Sequence, residues 1–233
     1  MEMAAIQLGG HPVYLQPIEL GIGKRESVED VTRTLACYHA IVAARVFDHG
    51  LLEQMSAINA APVLNMLSDT DHPLQALADL LTIKQLLGRI ADTRVAFIGE
   101  ANNVARSLAE GCTLAGAEFV IASPEGYRFT AEDMNQVTDP KEAVEGADIV
   151  YTDVWVSMGD EENGRRSAFE PYRVDEALME CAPNAHFLHC LPAHRGEEVT
   201  AAVIDGSRSA VWRQAENRMH SARGAMLWML EEL

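Results

Sequence analysis

The chain has 233 residues, of which 48% are hydrophobic and 23% charged, and this composition is typical of a folded protein rather than a disordered, fibrous or disulfide-stapled one. No apolar run approaches the ~20 residues that a membrane span requires, and the N-terminus is not typical of a secretion signal. The formal net charge of −17, from 18 basic and 35 acidic residues, disfavours nucleic acid and anionic membrane surfaces as partners.

Short β-branched runs alternate with amphipathic stretches along the chain. The pattern first predicts helix 1–8, strand 11–16, helix 27–39, buried strand 40–46, helix 50–60, strand 62–67 and helix 72–88. It then predicts strand 94–98, helix 103–115, strand 118–122, a helix that closes at 143–146, strand 148–154, helix 174–181, strand 186–191 and helix 213–233. Ser27 is the expected N-cap of the second helix.

Strands separated by helices imply parallel crossovers, so we predict an α/β protein with doubly wound parallel sheets. The segment 89–93 follows a long helix and precedes a new strand, which makes it the predicted domain boundary. In such sheets ligands bind beyond the carboxyl ends of the strands. Polar residues at predicted strand ends are therefore the candidates for a functional site.

The sequence Gly-Glu-Ala-Asn-Asn at 99–103 follows a predicted strand and opens a helix. The G-x-G-x-x-G spacing of a dinucleotide fingerprint is absent there, which disfavours a nicotinamide cofactor. An asparagine pair at a helix start is typical of N-capping. The alternative is that one asparagine faces the cleft while the other caps the helix.

Four potential metal ligands, His186, His189, Cys190 and His194, lie near one predicted strand end. Their spacing is not that of a zinc finger, and His189 points to the opposite strand face from His186 and Cys190, so a metal site is disfavoured. A packed strand end and a substrate-contacting Cys190 are the two alternatives. The four cysteines of the chain show no C-x-x-C spacing, which predicts reduced thiols in the cytoplasm.

Several charged or polar residues lie at the ends of predicted elements. Asp153 is either a cap or solvated acid, or a carboxylate that holds an ammonium group. His72 and Gln75 lie beside the positive end of a helix, where they are either structural or bind an anionic or carbonyl oxygen. Arg45 and Arg218 would each be an ordinary surface arginine if considered alone. Together with His72 and Gln75 they suggest an oxyanion or phosphate pocket.

Four segments, HPLQALADLLTI, TDVWVSMG, HCLPAHRGEEVT and AENRMH, occur in this order. Together they resemble the signatures of the ornithine carbamoyltransferases, within the aspartate/ornithine carbamoyltransferase family, and the resemblance extends from QLGGHPVYL and GIGKRES to the end of the chain. The SMG turn with HCLP is more similar to ornithine-using than to aspartate-using members. The resemblance implies an incomplete carbamoyl-phosphate-binding domain at 1–90, an ornithine-binding domain at 91–212, and a C-terminal helix at 213–233 that returns to the first domain.

The family transfers the carbamoyl group of carbamoyl phosphate to the side-chain amine of L-ornithine, which yields L-citrulline and phosphate without a metal or organic cofactor. The resemblance implies that carbamoyl phosphate is bound by Arg45, His72, Gln75, Cys190, Leu191 and Arg218. It implies that ornithine is bound by Asn103, Asp153, Ser157 and Met158. It also implies homotrimers or multiples of trimers.

Three of these residues are implied in catalysis: His72, Cys190 and Arg218. His72 would bond the carbonyl oxygen, on which charge develops, while Arg45 and Arg218 would neutralise the departing phosphate. Asp153 and Cys190 would orient the ornithine amine, which must be neutral to attack.

One family motif, the phosphate-binding loop Ser-Thr-Arg-Thr-Arg, is absent from the sequence, and residue 1 falls inside the helix that follows this loop in the family. Removing a single preorganised oxyanion donor costs ~10²–10³ in rate. We therefore expect residues 1–233 to have little or no transferase activity, and turnover near that of an intact relative would contradict this. Smaller departures are Val46, where threonine commonly follows the arginine, and Glu100 before the asparagine pair.

The leading interpretation is an ornithine carbamoyltransferase of arginine metabolism whose N-terminal part is absent from this sequence. A second hypothesis is a shortened, non-catalytic homologue that binds an amino acid or a full-length subunit. The DNA immediately upstream, translated in frame, distinguishes the two. A third hypothesis, a fragment of a dinucleotide-dependent dehydrogenase, is disfavoured by the missing glycine fingerprint and is tested by NAD-binding calorimetry.

Overall fold

The structure is a computed structural model that describes residues 1–16, 20–130, 134–156 and 164–231. Its helices and strands follow in chain order: α1 (Glu2–Gln7), α2 (Val28–Ala36), β1 (Val42–Arg45), α3 (His49–Ala57), β2 (Val63–Leu67), α4 (Pro73–Leu87), β3 (Arg94–Ile98), α5 (Asn103–Ala115), β4 (Glu118–Ala122), β5 (Gln136–Val137), α6 (Pro140–Val144), β6 (Ile149–Thr152), α7 (Arg165–Phe169), a 3₁₀ turn (Glu170–Tyr172), α8 (Glu176–Glu180), β7 (His186–His189), α9 (Ala201–Ile204) and α10 (Val211–Glu231). In the described ranges, no helix is long and apolar enough to span a bilayer.

The chain forms two compact units. The first comprises Met1–Leu74 and Arg218–Leu233, and the second comprises Gln75–Asn217. The long helices α4 and α10 each contribute residues to both units. Both units contain a parallel sheet with helices, so the predicted α/β class is confirmed.

The first unit is built on the parallel pair β1–β2. Its buried core combines residues from both ends of the chain: Ala4, Leu64, Leu74, Ala222 and Met226. An Arg223 guanidinium donates to the Gln7 side chain at 2.7 Å, which adds a polar contact between α10 and α1. The prediction that the C-terminal helix packs on the first part of the chain is therefore confirmed.

Local signals in the first unit gave both correct and incorrect predictions. Ser27 is the N-cap of α2, and its Oγ accepts a hydrogen bond from the Asp30 N–H at 3.0 Å. The strand predicted at 11–16 is wrong: these residues pair with no described strand, and Tyr14 is 72% exposed. Alternating apolar residues do not form a strand where no neighbouring strand takes up their backbone groups. The predicted buried strand 40–46 is also only half right, because Val42 is the one buried residue of β1.

The second unit contains five parallel strands in the order β5-β4-β3-β6-β7. Apolar residues cover both sheet faces, as a parallel sheet between helices requires. Phe187 belongs to one buried cluster and its neighbour Leu188 to the other. The chain runs outward from β3 in both directions, so the strand order reverses between β3 and β6. The carboxyl ends of those two strands form the switch point at which such sheets bind ligands.

Short elements of the second unit escaped prediction. They are β5, α7, the 3₁₀ turn and α9, and none exceeds five residues. A helix or strand of that length spans too few residues for a hydrophobic period to show. These short elements are stabilised by tertiary contacts, which the local sequence pattern does not show.

Two glycines allow opposite effects on stability to be predicted. Gly116 ends α5 with a φ of 74°, where an L side chain is strained, so Gly116→Ala should lower the free energy of unfolding by about 1–2 kcal/mol. Gly224 is exposed within α10, and an added Cβ would meet nothing within 4 Å. Gly224→Ala should raise that free energy by about 0.5–1 kcal/mol. Urea unfolding of both variants checks this, and shifts of the same sign would contradict it.

Candidate functional site

Asn102 lies in the segment that follows the carboxyl end of β3, at the switch point of the second unit. It is the N-cap of α5: its Oδ1 accepts hydrogen bonds from the N–H groups of Val104 and Ala105, both at 3.0 Å. Its Nδ2 donates to Asp153 Oδ2 at 2.9 Å. Because the oxygen and the nitrogen of the amide both have partners, the side chain has one orientation.

Asp153 follows β6 and is 7% exposed. Its second oxygen, Oδ1, accepts from the Cys190 thiol at 2.9 Å and from the Val154 N–H at 2.8 Å. With Asn102, three donors from three separate segments converge on this carboxylate. The arrangement offers a fixed, almost buried negative charge to a cationic ligand.

Cys190 and Leu191 follow β7, beside β6, and His189 holds their backbone. The His189 imidazole is buried, and its Nδ1 accepts the Leu191 N–H at 2.9 Å. Its Nε2 lies 3.2 Å from Glu198 Oε1. An imidazole that accepts at Nδ1 and donates at Nε2 is neutral, with its proton on Nε2. This contact anchors Leu191, whose φ is +59°, a region that non-glycine residues rarely occupy.

Two groups of side chains in the described residues have ligand atoms close enough for a metal ion. They are Asp153, His189 and Cys190, and His194, Glu197 and Glu198. In the first group the thiol donates to the carboxylate, and both ring nitrogens of His189 have protein partners. In the second, Glu198 Oε1 accepts from His189 and from the His194 N–H. The ligand atoms of the first group are thus already used in hydrogen bonds within the protein, whereas in the second group Glu198 Oε2 has no hydrogen-bond partner among the described residues.

Asn103 is the predicted ornithine ligand of the asparagine pair, and Asn102 was not among the predicted site residues. Asn103 is the first residue of α5 and is partly buried, and its contact with ornithine stays a prediction. Of the two alternatives for the pair, the capping residue is Asn102, and the same side chain also contacts Asp153. The N-cap pattern is sufficient to explain an asparagine at position 102, so the sequence contains no separate indication of its contact with Asp153. Ser157 and Met158 lie outside the described residues.

The first unit brings together Arg45, His72 and Arg218. Arg45 ends β1, His72 precedes α4, and Arg218 lies in α10. His72 is 7% exposed. Burial, followed by the positive charges of Arg218 and Arg45, lowers the pKa of His72 to about 4. His72 is therefore neutral at physiological pH, and two exposed guanidinium groups lie close enough to act on it. This combination suits an anion that also carries a neutral hydrogen-bonding group.

Glu100, a departure from the family pattern, forms an ion pair with Arg165. The guanidinium donates to both carboxylate oxygens, at 2.7 and 2.8 Å, and to the Trp155 carbonyl at 3.1 Å. It also lies over the Tyr127 ring, 5.1 Å from its centroid. The side chains of the pair are only 15% and 19% exposed. The negative charge of Glu100 is therefore compensated within the second unit.

We expect Glu100→Gln to lower the free energy of unfolding by about 1.5–3 kcal/mol, because the Arg165 charge would lose its bidentate partner while still largely buried. For a chain of this size the melting temperature falls by about 2–4 °C per kcal/mol. Glu29→Gln is the matched control: it breaks an exposed pair with Arg33 and should cost about 0.3–0.5 kcal/mol. Equal melting-temperature changes in the two variants would contradict the prediction.

Comparison with known proteins agrees with this geometry. Residues 1–85 match the carbamoyl-P binding domain of aspartate/ornithine carbamoyltransferase, and residues 91–229 match its Asp/Orn binding domain. The ornithine carbamoyltransferase of Hyperthermus butylicus is 46% identical over 248 residues, which covers 99% of this chain and 79% of the relative. That of Thermus thermophilus is 45% identical over 239 residues, with coverage of 99% and 79%.

Solved structures of similar proteins share the fold. The ornithine carbamoyltransferase from Pyrococcus furiosus superposes with a TM-score of 0.95 at 41% identity, covering 100% of this chain and 80% of that one. The enzyme from Thermus thermophilus gives 0.91 at 44% identity, with coverage of 98% and 80%. Since the sequence matches extend over nearly the whole chain, the resemblance found in its motifs is confirmed: the chain belongs to the aspartate/ornithine carbamoyltransferase family.

Proposed function

We propose that the chain is an ornithine carbamoyltransferase, which converts carbamoyl phosphate and L-ornithine to L-citrulline and phosphate in arginine metabolism. The observation that carries this choice within the family is the buried Asp153 carboxylate at the switch point of the second unit. A fixed negative charge favours ornithine, which brings an ammonium group and a basic side chain, over aspartate, which brings a second carboxylate. The relatives named above are ornithine carbamoyltransferases, which supports the same substrate.

Carbamoyl phosphate is the ligand we assign to Arg45, His72 and Arg218. The guanidinium groups neutralise the phosphate, both in the substrate and as it departs. His72, kept neutral by its low pKa, donates one hydrogen bond to the carbonyl oxygen without adding a third full positive charge. Gln75, which is buried, and Leu191 contribute further contacts to the carbamoyl group.

Ornithine is the ligand we assign to Asn103, Asp153, Ser157 and Met158. Asp153 holds an ammonium group of the substrate, and Cys190 fixes the carboxylate through its thiol hydrogen bond. The attacking amine must lose its proton before it reacts. A carboxylate in this position orients the amine and stabilises the charge that develops on nitrogen as the C–N bond forms.

Domain roles, assembly and location complete the proposal. Residues 1–90 bind carbamoyl phosphate, 91–212 bind ornithine, and the helix at 213–233 returns to the first domain. We expect a homotrimer or a multiple of trimers, which light scattering of the purified chain tests directly. We place the chain in a reducing compartment such as the cytoplasm, where cysteines of a protein with no disulfide framework stay reduced.

The test compares two acceptors. Purified chain is incubated with carbamoyl phosphate and either L-ornithine or L-aspartate, and the carbamoylated products are identified by mass spectrometry. The identity of the carbamoylated product decides between the acceptors, and not the rate at which it forms. Citrulline without carbamoyl-aspartate is expected. Carbamoyl-aspartate as the main product would overturn the proposal.

A further inference from the structure

A buried hydrogen-bond network in the second unit surrounds Asp79, a residue of α4. The Asp79 side chain has no exposed surface. Its Oδ1 accepts from Gln75 Nε2 at 2.9 Å and from Gln214 Nε2 at 2.6 Å. Its Oδ2 accepts from the Tyr151 hydroxyl at 3.1 Å. The network connects one turn of α4 to α10 and to strand β6. None of its members apart from Gln75 has been assigned a part in binding.

Each side chain of the network has one orientation in which every donor faces an acceptor. A carboxylate only accepts, so the Gln75 amide must present its nitrogen to Asp79 and turn its oxygen away. Gln214 is fixed at both ends, because its Oε1 accepts the His189 N–H at 2.9 Å. Its Nε2 also lies 3.1 Å from the Tyr151 oxygen, which leaves the hydroxyl proton for Asp79. Neither amide can flip without placing two donors, or two acceptors, against each other.

Gln75 Oε1 is the open end of this network. The residue is 1% exposed, and its Oε1 has no hydrogen-bond partner among the residues that the structure describes. Buried polar atoms in native proteins nearly always have a partner. Because Gln75 Oε1 is fixed in direction and has no partner among the described residues, it suits a ligand with an N–H or O–H donor.

We propose that Asp79 is a positioning residue, which holds the Gln75 amide so that Oε1 accepts a hydrogen bond from the NH₂ of the carbamoyl group. This contact selects carbamoyl phosphate over acyl phosphates that carry a methyl group in place of the NH₂. The inference rests on the proposed function, since it needs carbamoyl phosphate as the ligand. Asp79 itself touches only protein groups. A ligand without the N–H leaves a buried acceptor unpaired, which costs about 10- to 100-fold in affinity.

The experiment measures the ratio of the dissociation constants of acetyl phosphate and carbamoyl phosphate by calorimetry at low temperature. For the wild-type chain we expect a ratio of about 10 to 100. Asp79→Ala frees the Gln75 amide to rotate, and the ratio should fall by about tenfold. Asp79→Asn keeps an oxygen for Gln75, with its new NH₂ turned to the Tyr151 oxygen, so the ratio should stay within about threefold of wild type. A role in folding alone would change both affinities equally.

Thr82→Val is the matched control, because Thr82 is a buried polar residue on the same helix outside the network. Its replacement should lower the melting temperature and leave the ratio unchanged. A ratio retained in Asp79→Ala would overturn the inference.

NMR of the ligand-free chain tests the inference even if the alanine variant does not fold or neither phosphate compound binds. In the wild-type chain, the Gln75 side-chain NH₂ resonances should be resolved and slow to exchange with solvent, as expected of a buried amide bonded to a carboxylate. This holds whether or not the alanine variant folds. If the chain binds neither phosphate compound, the proposed function fails, and the resonances still decide whether Asp79 holds Gln75. Rapidly exchanging, averaged resonances would overturn the inference.

Discussion

Asp153→Asn is expected to weaken L-ornithine binding by roughly 30- to 4,000-fold. Loss of one partner of a buried, hydrogen-bonded charge pair costs about 2–5 kcal/mol, and each 1.4 kcal/mol is a factor of ten. The amide keeps the size of the side chain but carries no charge for the ligand's ammonium group. It also disturbs the site, since its NH₂ would face either the Asn102 NH₂ or the donors Cys190 and Val154. Calorimetric titration with L-ornithine in the presence of phosphate measures the effect.

Asp175→Asn is the matched control for this charge change. Asp175 is the N-cap of α8, where its Oδ1 accepts the Leu178 N–H at 2.8 Å, and asparagine is an equally good cap. The control should bind ornithine as the wild type does. An Asp153→Asn chain with undiminished affinity, or a control that loses as much, would remove Asp153 from the ornithine site.

The second large effect is on stability: between pH 6.5 and about 4, His72 should reduce the free energy of unfolding by about 3 kcal/mol. In the unfolded chain this histidine takes up a proton near pH 6.5. In the folded chain it stays neutral down to about pH 4, because burial, Arg218 and Arg45 lower its pKa. The unfolded state therefore binds more protons across this window, and stability falls as the pH falls. The reduction is absent above pH 6.5 and complete below about pH 4.

The measurement is a series of urea unfolding curves from pH 7 to pH 4 for the wild type and His72→Gln. Other groups titrate in the same range, so the quantity of interest is the difference between the two chains at each pH. That difference should shift by about 3 kcal/mol in favour of the variant as the pH falls. His11→Gln replaces an exposed histidine and serves as the control. Parallel curves for wild type and His72→Gln would show that His72 is not held neutral by the fold.

The second sheet could be predicted closely from the sequence. The bounds of β3, α5 and β4 agree with the predicted ranges 94–98, 103–115 and 118–122, because buried runs there are separated by a capping asparagine and by Gly116. The segment 11–16 has similar apolar residues but no partner strand. Local pattern specifies the side chains of a strand, whereas pairing depends on a distant segment.

The candidate site was less accessible to sequence reasoning. Asp153 and Cys190 could be placed at the ends of neighbouring strands, yet their hydrogen bond joins residues 37 positions apart and has no local signature. Asp79 was not predicted as a site residue, although it is the one charged residue in the stretch LQALADLL. A lone carboxylate on a buried helix face needs partners, and that is the signal to look for. Its partners Tyr151 and Gln214 lie 72 and 135 positions away.

The hydrogen bond from Cys190 to Asp153 also bears on the reactivity of the sulfur. A thiol that donates to a carboxylate keeps its proton, and the thiolate is the form that attacks electrophiles. Cys190 is, in addition, only 9% exposed. It is therefore poorly suited to accept a carbamoyl group or to react with alkylating or oxidising agents, whereas Cys37 and Cys181 lie open to them at the surface. In the proposed reaction, a sulfur kept unreactive in this way would leave the substrate amine as the nucleophile, and the carbamoyl group would pass to it directly.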